Sequence, residues 1–330
     1  MKLIPASFAL LVLAACASAP ARPPFRDEAP QRSQETVRVG DSRSIGLAAA
    51  IMSLDRATQW SPVSATQLNF DTYHPQGMVR AHGDWFVSSV EILRSTQRFP
   101  APVGGMDRDA GEGRGHLFKL GADGALKADI LLGEGDIYHP GGIDFDGRHI
   151  WVPVAEYRPD SASIIYRVDA KTLEAVEVFR FPDHIGAIVH DVAGSALVGV
   201  SWGAARIYRW PLQPDSSVSP ADAANTVPAG KVRSHFIAWQ DCHAAGDRLM
   251  LCTGLSSYAT PAGNLSLGGA ELIDLADFRP LWQTPILLWS PSGRSMTQNP
   301  AWFEASPSGL RGWFMPDDDA STLYEFLTPN

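Results

Sequence analysis

One pattern recurs five times along this chain and restricts the fold more than any other feature: a His, two further residues, a Gly or Ala, and then an apolar residue. It reads His74-Pro75-Gln76-Gly77-Met78, His139-Pro140-Gly141-Gly142-Ile143, His184-Ile185-Gly186-Ala187-Ile188 and His235-Phe236-Ile237-Ala238-Trp239. The fifth copy keeps the frame with Gln in place of His, as Gln298-Asn299-Pro300-Ala301-Trp302. Self-similarity at a period of tens of residues is the mark of a repeat architecture, in which one supersecondary unit is copied and stacked. Here the intervals run from 45 to 65 residues.

Each copy continues in the same way. A turn rich in Gly, Asp or Ser follows, for example Asp146-Gly147-Arg148, and then a second apolar strand. The second strands are 85–91, 150–156, 196–200, 249–252 and 312–315. Third strands follow at 115–120, 164–168, 206–210, 270–274 and 322–326, and fourth strands are visible in copies one, two and four. Four turn-separated strands per repeat predict an all-β fold, a β-propeller with one four-stranded blade per copy. The fifth copy shows only three strands, and Gln59–Phe70 upstream supplies the missing outer one, closing the ring. The expectation is therefore five blades. Six is the alternative, if a degenerate blade lies in one of the two longer intervals. Ten Trp, 29 Gly and 25 Pro fit many short strands joined by tight turns. A formal charge of −9 without a basic cluster argues against nucleic acid as a partner.

The N-terminus is a separate region. Lys2 precedes the apolar run Leu3–Leu13, which is followed by Ala14-Ala15-Cys16. This is the charge, apolar core and small-residue end of an export signal, too short to span a bilayer. Leu13-Ala14-Ala15-Cys16 resembles the bacterial lipobox. That resemblance implies a signal peptide over 1–15, lipidation of Cys16 and anchoring in the cell envelope. Ala17, which is not Asp, points to the outer membrane. Residues 16–45, rich in Ala, Pro, Arg, Ser and Gln, read as a tether with too little apolar surface to order. The propeller is expected over 46–330, opening with an apolar stretch, Gly46–Leu54, that forms at least one helical turn.

In a propeller the first strand of each blade lines the central channel, so the recurring His converge at one mouth. Neutral imidazole is the commonest transition-metal ligand. His74, His139, His184 and His235 are therefore candidate ligands for zinc, iron, manganese or copper, and a bound metal would act on a small molecule at the mouth. The alternative is that repeats simply copied a structural His, leaving a propeller that binds ligands or assembles without catalysis. Glu91 and Glu156 end second strands on the same face, as candidate catalytic carboxylates or second-layer partners of the ring His. The long loops 93–114 and 256–269 and the run Asp317-Asp318-Asp319 overhang that face, where sites usually form. His243 is expected to pack, and His190-Asp191 to lie at a turn. No Gly-x-Ser-x-Gly, phosphate-binding loop or dinucleotide fingerprint occurs. Cys242 and Cys252 flank a predicted hairpin turn at 245–248, opposite each other as a disulfide or as two buried thiols.

His139-Pro140-Gly141-Gly142-Ile143-Asp144-Phe145-Asp146-Gly147 followed by Ile150-Trp151-Val152 resembles strand starts in bacterial periplasmic propellers of the lactonase and NHL-like type. The chain as a whole is similar to uncharacterised bacterial lipoproteins. The first resemblance implies architecture only, and the acidic calcium constellation of lactonases is missing. Four His around a propeller axis also have an analogue in the iron site of carotenoid oxygenases, though those propellers have seven blades and share no motif with this chain.

Overall fold

The computed structural model describes residues 42–230 and 236–328; Cys16 with the rest of the expected leader and most of the tether, and His235, lie outside them. The described chain is a five-bladed β-propeller built from antiparallel strands. Blade one is His74–Ala81, Asp84–Arg94, Glu112–Leu120 and Leu126–Leu132. Blade two starts with Ile137–Pro140, resumed at Asp144–Phe145, and continues through His149–Glu156, Ser163–Asp169 and Ala175–Phe181. Blade four is Ala238–Ala244, Leu249–Thr260, Gly263–Asp274 and Pro280–Pro285. Blade five is Ala301–Ser306, Gly309–Phe314 and Thr322–Thr328, with Ser61–Gln67 as its outer strand. The N-terminal strand thus closes the ring, pairing Thr66 with Leu323 and Gln67 with Thr322.

Blade three is thinner: Ile185–Asp191, Ala196–Ser201 and Ile207–Pro211. Its outer edge is a single bridge from Ile207 to Gly230. The intervening segment carries Pro214, Pro220 and Pro228, none of which has an N–H to give a ladder. It forms the short helix Pro220–Asn225 instead, with Ser219 accepting from the Asp222 N–H as its cap.

Five apolar clusters hold the ring, one in each gap between neighbouring blades. Examples are Phe86 with Val152 between blades one and two, Trp151 with Trp210 between two and three, and Val198 with Met250 between three and four. Leu272 with Phe314 lies between blades four and five, and Trp313 with Trp85 between five and one. Each blade is apolar on both faces because each face meets another blade, so alternation along its strands is weak. The helix Ser42–Met52 plugs the gap between blades four and five with Ala48 and Ile51. It begins before the apolar stretch expected to form it. No helix of the described residues is long and apolar enough to cross a membrane.

The first strands meet closely at the axis, and two of their glycines leave no room for a side chain. A Cβ on Gly77 would lie 2.6 Å from the Ile143 nitrogen, and one on Gly141 would collide with the Gly186 carbonyl. Backbone bonds cross from blade to blade there, Gly142 N–H to Gly186 O at 2.8 Å and Ile188 N–H to Gly142 O at 3.2 Å.

The register revises the repeat alignment in blade four. In blade one the pairs are His74 with Val90, Pro75 with Ser89 and, past a bulge at Gln76, Gly77 with Ser88. Blade three follows with Ile185 opposite Ser201 and, past a bulge at Gly186, Ala187 opposite Val200. In blade four the matching pairs are Ala238 with Leu255, Trp239 with Gly254 and, past a bulge at Gln240, Asp241 with Thr253. Ala238 therefore stands where His74 stands, and the frame read from His235 is three residues early. Ala238-Trp239 imitates the small-then-apolar signal, but pairing, not composition, sets the register.

Candidate functional site

At the mouth where the first strands begin, the axis opens into a cavity of about 430 Å³. His74, His139, His184 and Gln298, members of the repeated motif, all line it. Gln76 and Gln240, the bulge residues of blades one and four, also face it, joined by a hydrogen bond from Gln240 Nε2 to Gln76 Oε1. A bulge re-aims the extra residue out of the ladder, and here it aims amides at the axis. Tyr157, Trp202 and Trp239 form aromatic wall, and Ser257 and Ser266 reach in from the long hairpin of blade four. The blade-one loop holds a hairpin of its own, Arg98–Val103 with Met106–Arg108.

The three imidazoles differ in how they are held. His74 Nδ1 lies 2.7 Å from Asp318 Oδ1. Asp318 also receives Arg294 Nη1 at 2.8 Å and Asn299 Nδ2 at 2.9 Å. Against the pull of burial, these bonds from His74 and Asn299, with the Arg294 charge, hold the Asp318 carboxyl at about 2. His184 Nδ1 donates to the Glu156 carbonyl at 2.7 Å, and burial takes its pKa down to about 4. His139 stacks on Tyr157 at 4.2 Å, its ring 6.0 Å from that of His184. Neither His139 nitrogen has a partner among the described residues. Burial, then the neighbouring His184 and His74, push its pKa well below the usual imidazole value. His139 and His184 are thus neutral at pH 7.

The carboxylates sit elsewhere. Glu91 pairs with Arg114 at 2.9 Å, lies 3.7 Å from His116 Nε2, and does not line the cavity. The Glu156 carboxylate is bound by Arg158 at 2.5 Å; its contribution to the mouth is a backbone carbonyl. The carboxylate that orients a ring His is Asp318, from the acidic run of blade five, because that run lies beside the start of blade one once the ring closes. Among the described residues no three His, Cys, Asp or Glu side chains are set together ready to hold a metal ion.

Deeper on the axis lies a second polar group that the repeat pattern does not mark. Asp241 occupies the register of Gly77 and is fully buried. It accepts the Met78 N–H at 2.9 Å and the Ile143 N–H at 3.2 Å, joining blade four to blades one and two. His243 Nε2 lies 3.2 Å from Asp241 and 3.0 Å from the Ala301 carbonyl of blade five. Asp144 accepts the His190 N–H of blade three at 2.8 Å and the Ala244 N–H of blade four at 3.3 Å. Burial raises the pKa of Asp241, and that of Asp144 to about 6. Burial opposes a charge on His243, yet Asp241, with Asp144 behind it, holds its pKa above the usual value. His190 is no turn residue; it lies within the first strand of blade three, half-buried against Trp151. Cys242 and Cys252 face each other across blade four, both buried, with their sulfurs 2.11 Å apart in a disulfide.

Residues 40–328 match the model of a family described as a family of unknown function, DUF6454. The chain matches no curated protein. Among solved structures it is similar to the glutaminyl cyclase of Myxococcus xanthus, at 12% identity and a TM-score of 0.46, covering 82% of this chain and 97% of that one. It is also similar to a luciferin-regenerating enzyme, at 10% identity and a TM-score of 0.40, covering 81% of this chain and 95% of that one.

Proposed function

Since the chain belongs to the DUF6454 family, whose function is unknown, we propose from its own site that it is a small-molecule propeller, with the axial cavity as binding site and the three imidazoles as the groups that engage the ligand. One observation carries this reading: His139 is buried, lines the cavity, and has both ring nitrogens unpartnered among the described residues. A buried polar atom without a partner costs about 1–3 kcal/mol, and a purely structural His would have spent at least one nitrogen on a neighbouring blade, as His243 does with Nε2 at the axis.

The test is a ligand screen by saturation-transfer NMR against the domain and against a plugged variant, Gly186→Phe. Gly186 lines the cavity, and a Cβ there meets nothing nearer than 3.6 Å, so the ring projects into the cavity without displacing backbone. Ligands that bind the native protein and not the variant support the site. Ligands indifferent to the plug remove it.

A second reading, a transition metal on the same imidazoles, is favoured by the hydrogen bonds of His74 and His184. Each commits Nδ1 to an oxygen, which leaves Nε2 as the lone-pair donor, the arrangement common to metal-binding His. Zinc, iron, manganese or copper held there would activate water or dioxygen toward the ligand. Elemental analysis of protein purified without tag or chelator decides it: near-stoichiometric metal lost in the His74→Ala, His139→Ala double variant supports the metalloenzyme, and metal-free protein after incubation with these ions leaves ligand binding alone. The proposal also sets this cavity in the cell envelope, on the lipobox resemblance at Cys16. Incorporation of labelled palmitate that vanishes in Cys16→Ser is the expected outcome, and label retained by the variant would sink it.

A further inference from the structure

The cavity has a chemical signature that narrows its ligand. Among the described residues lining it there is no Asp, Glu, Lys or Arg. Charges nearby are already neutralised: Asp318 by Arg294, Glu156 by Arg158, and Asp107 by Arg108 at 2.9 Å. His139 and His184, uncharged at pH 7, cannot answer an anion with a charge, and His74 is already committed to Asp318. An ionised ligand entering it would give up part of its hydration and meet no unpaired counter-charge among the described residues, a cost that its neutral counterpart does not bear.

Hydrogen-bonding capacity, by contrast, is abundant and partly unspent. Asn299 is buried, and its Nδ2 is committed to Asp318 and to the Pro316 carbonyl. Those two acceptors fix which end of the amide is oxygen, and that oxygen, Oδ1, has no partner among the described residues. It needs a donor. Neutral His139 needs one donor and one acceptor. The flanking amides Gln76, Gln240 and Gln298 present both kinds of group. Beside them, Tyr157 and Trp202 stand 5.8 Å apart as aromatic wall suited to a flat ring.

Resting on the axial cavity being the binding site, we propose that its ligand is an uncharged molecule with a flat ring and an adjacent donor–acceptor edge, of the carboxamide kind, and that the cavity discriminates against both anions and cations of the same shape. Asn299 Oδ1 takes the ligand's N–H, and the neutral His139 takes its carbonyl or second N–H.

Benzamide, benzoate and benzylammonium form a matched set of nearly equal size with charges 0, −1 and +1 at pH 7. Saturation-transfer NMR at millimolar probe is expected to show benzamide bound, with benzoate and benzylammonium at least tenfold weaker, and the benzamide signal lost in Gly186→Phe. An independent readout needs no plug: in the native protein, benzamide shifts the imidazole resonances of His139 and His184, identified by His139→Gln and His184→Gln, and leaves those of His243 in place. If benzoate or benzylammonium binds as tightly as benzamide and moves the same resonances, the neutral class is wrong while the cavity remains the site. If no probe moves those resonances, the ligand class falls; if ligands from the wider screen are also indifferent to the plug, the cavity reading falls with it.

Discussion

Two sets of buried polar side chains share the propeller axis, and they are spent differently. The inner set, Asp241, Asp144 and His243, bonds to the backbone of the neighbouring blades and carries contacts among all five. The outer set, at the mouth, holds its open atoms against a cavity: both nitrogens of His139 and the Oδ1 of Asn299 are unpartnered among the described residues, whereas His243 Nδ1, the unpartnered atom of the inner set, belongs to a residue that does not line the cavity. A polar core that stabilises a fold spends most of its donors and acceptors within the protein, whereas a site keeps them open beside a cavity. The same residue types at two depths of one channel therefore separate into scaffold and site.

The comparison breaks first at Asp241. Asp241→Ala leaves two inter-blade N–H groups without their acceptor and removes the carboxylate beside His243. Chemical denaturation should show a loss of about 3–5 kcal/mol, the range for removing one partner of a buried charged network. A loss below 1 kcal/mol would mean that the inner set does not hold the ring.

Acid separates the sets by sign. His184, at about 4 in the fold and near 6.5 when unfolded, is neutral in both states above pH 6.5. Below that the unfolded chain takes up the proton first, so stability falls as pH drops toward 4. Asp144, at about 6 in the fold and near 3.9 when unfolded, runs the other way: its stabilising contribution is complete below pH 3.9 and is lost as pH rises through 6. Between pH 7 and pH 5, native protein should lose about 2 kcal/mol more than His184→Gln and about 1 kcal/mol less than Asp144→Asn. Equal slopes for all three proteins would put both groups in ordinary solvent.

Gly141→Ala tests the crowding between first strands. A Cβ there collides with the Gly186 carbonyl, and the expected loss is about 1–3 kcal/mol, read as a lower Tm. An unchanged Tm would show that the strands can move apart. The smallest effect on stability belongs at the mouth. His139→Leu removes unpartnered polar atoms from a buried position, so stability should hold or rise by about 1 kcal/mol, while cavity ligands are lost. A strongly destabilised His139→Leu would instead make this His part of the scaffold.

The architecture was legible because a repeat betrays itself by recurrence. The strands after each motif, the turns between them and the strand 61–67 that completes blade five follow from period and turn chemistry. Within the site, His74, His139, His184 and Gln298 were legible for the same reason. Gln76 and Gln240 were not, because their role comes from bulges, and a bulge shows only once two strands are paired. Asp318 is legible as charge but not as the partner of His74, since 244 residues separate them. Asp241 and Asp144 carry no periodic mark, as each serves the ring once.

The sequence by itself determined the repeat, the β class, the ring closure and the convergence of His74, His139 and His184, since local patterns repeated in order leave few other ways to bury every blade face. Only the tertiary structure decided which buried polar atoms find partners. That depends on bulges and on contacts between blades distant in sequence, where an offset of one residue exchanges a side chain in the channel for one in the core.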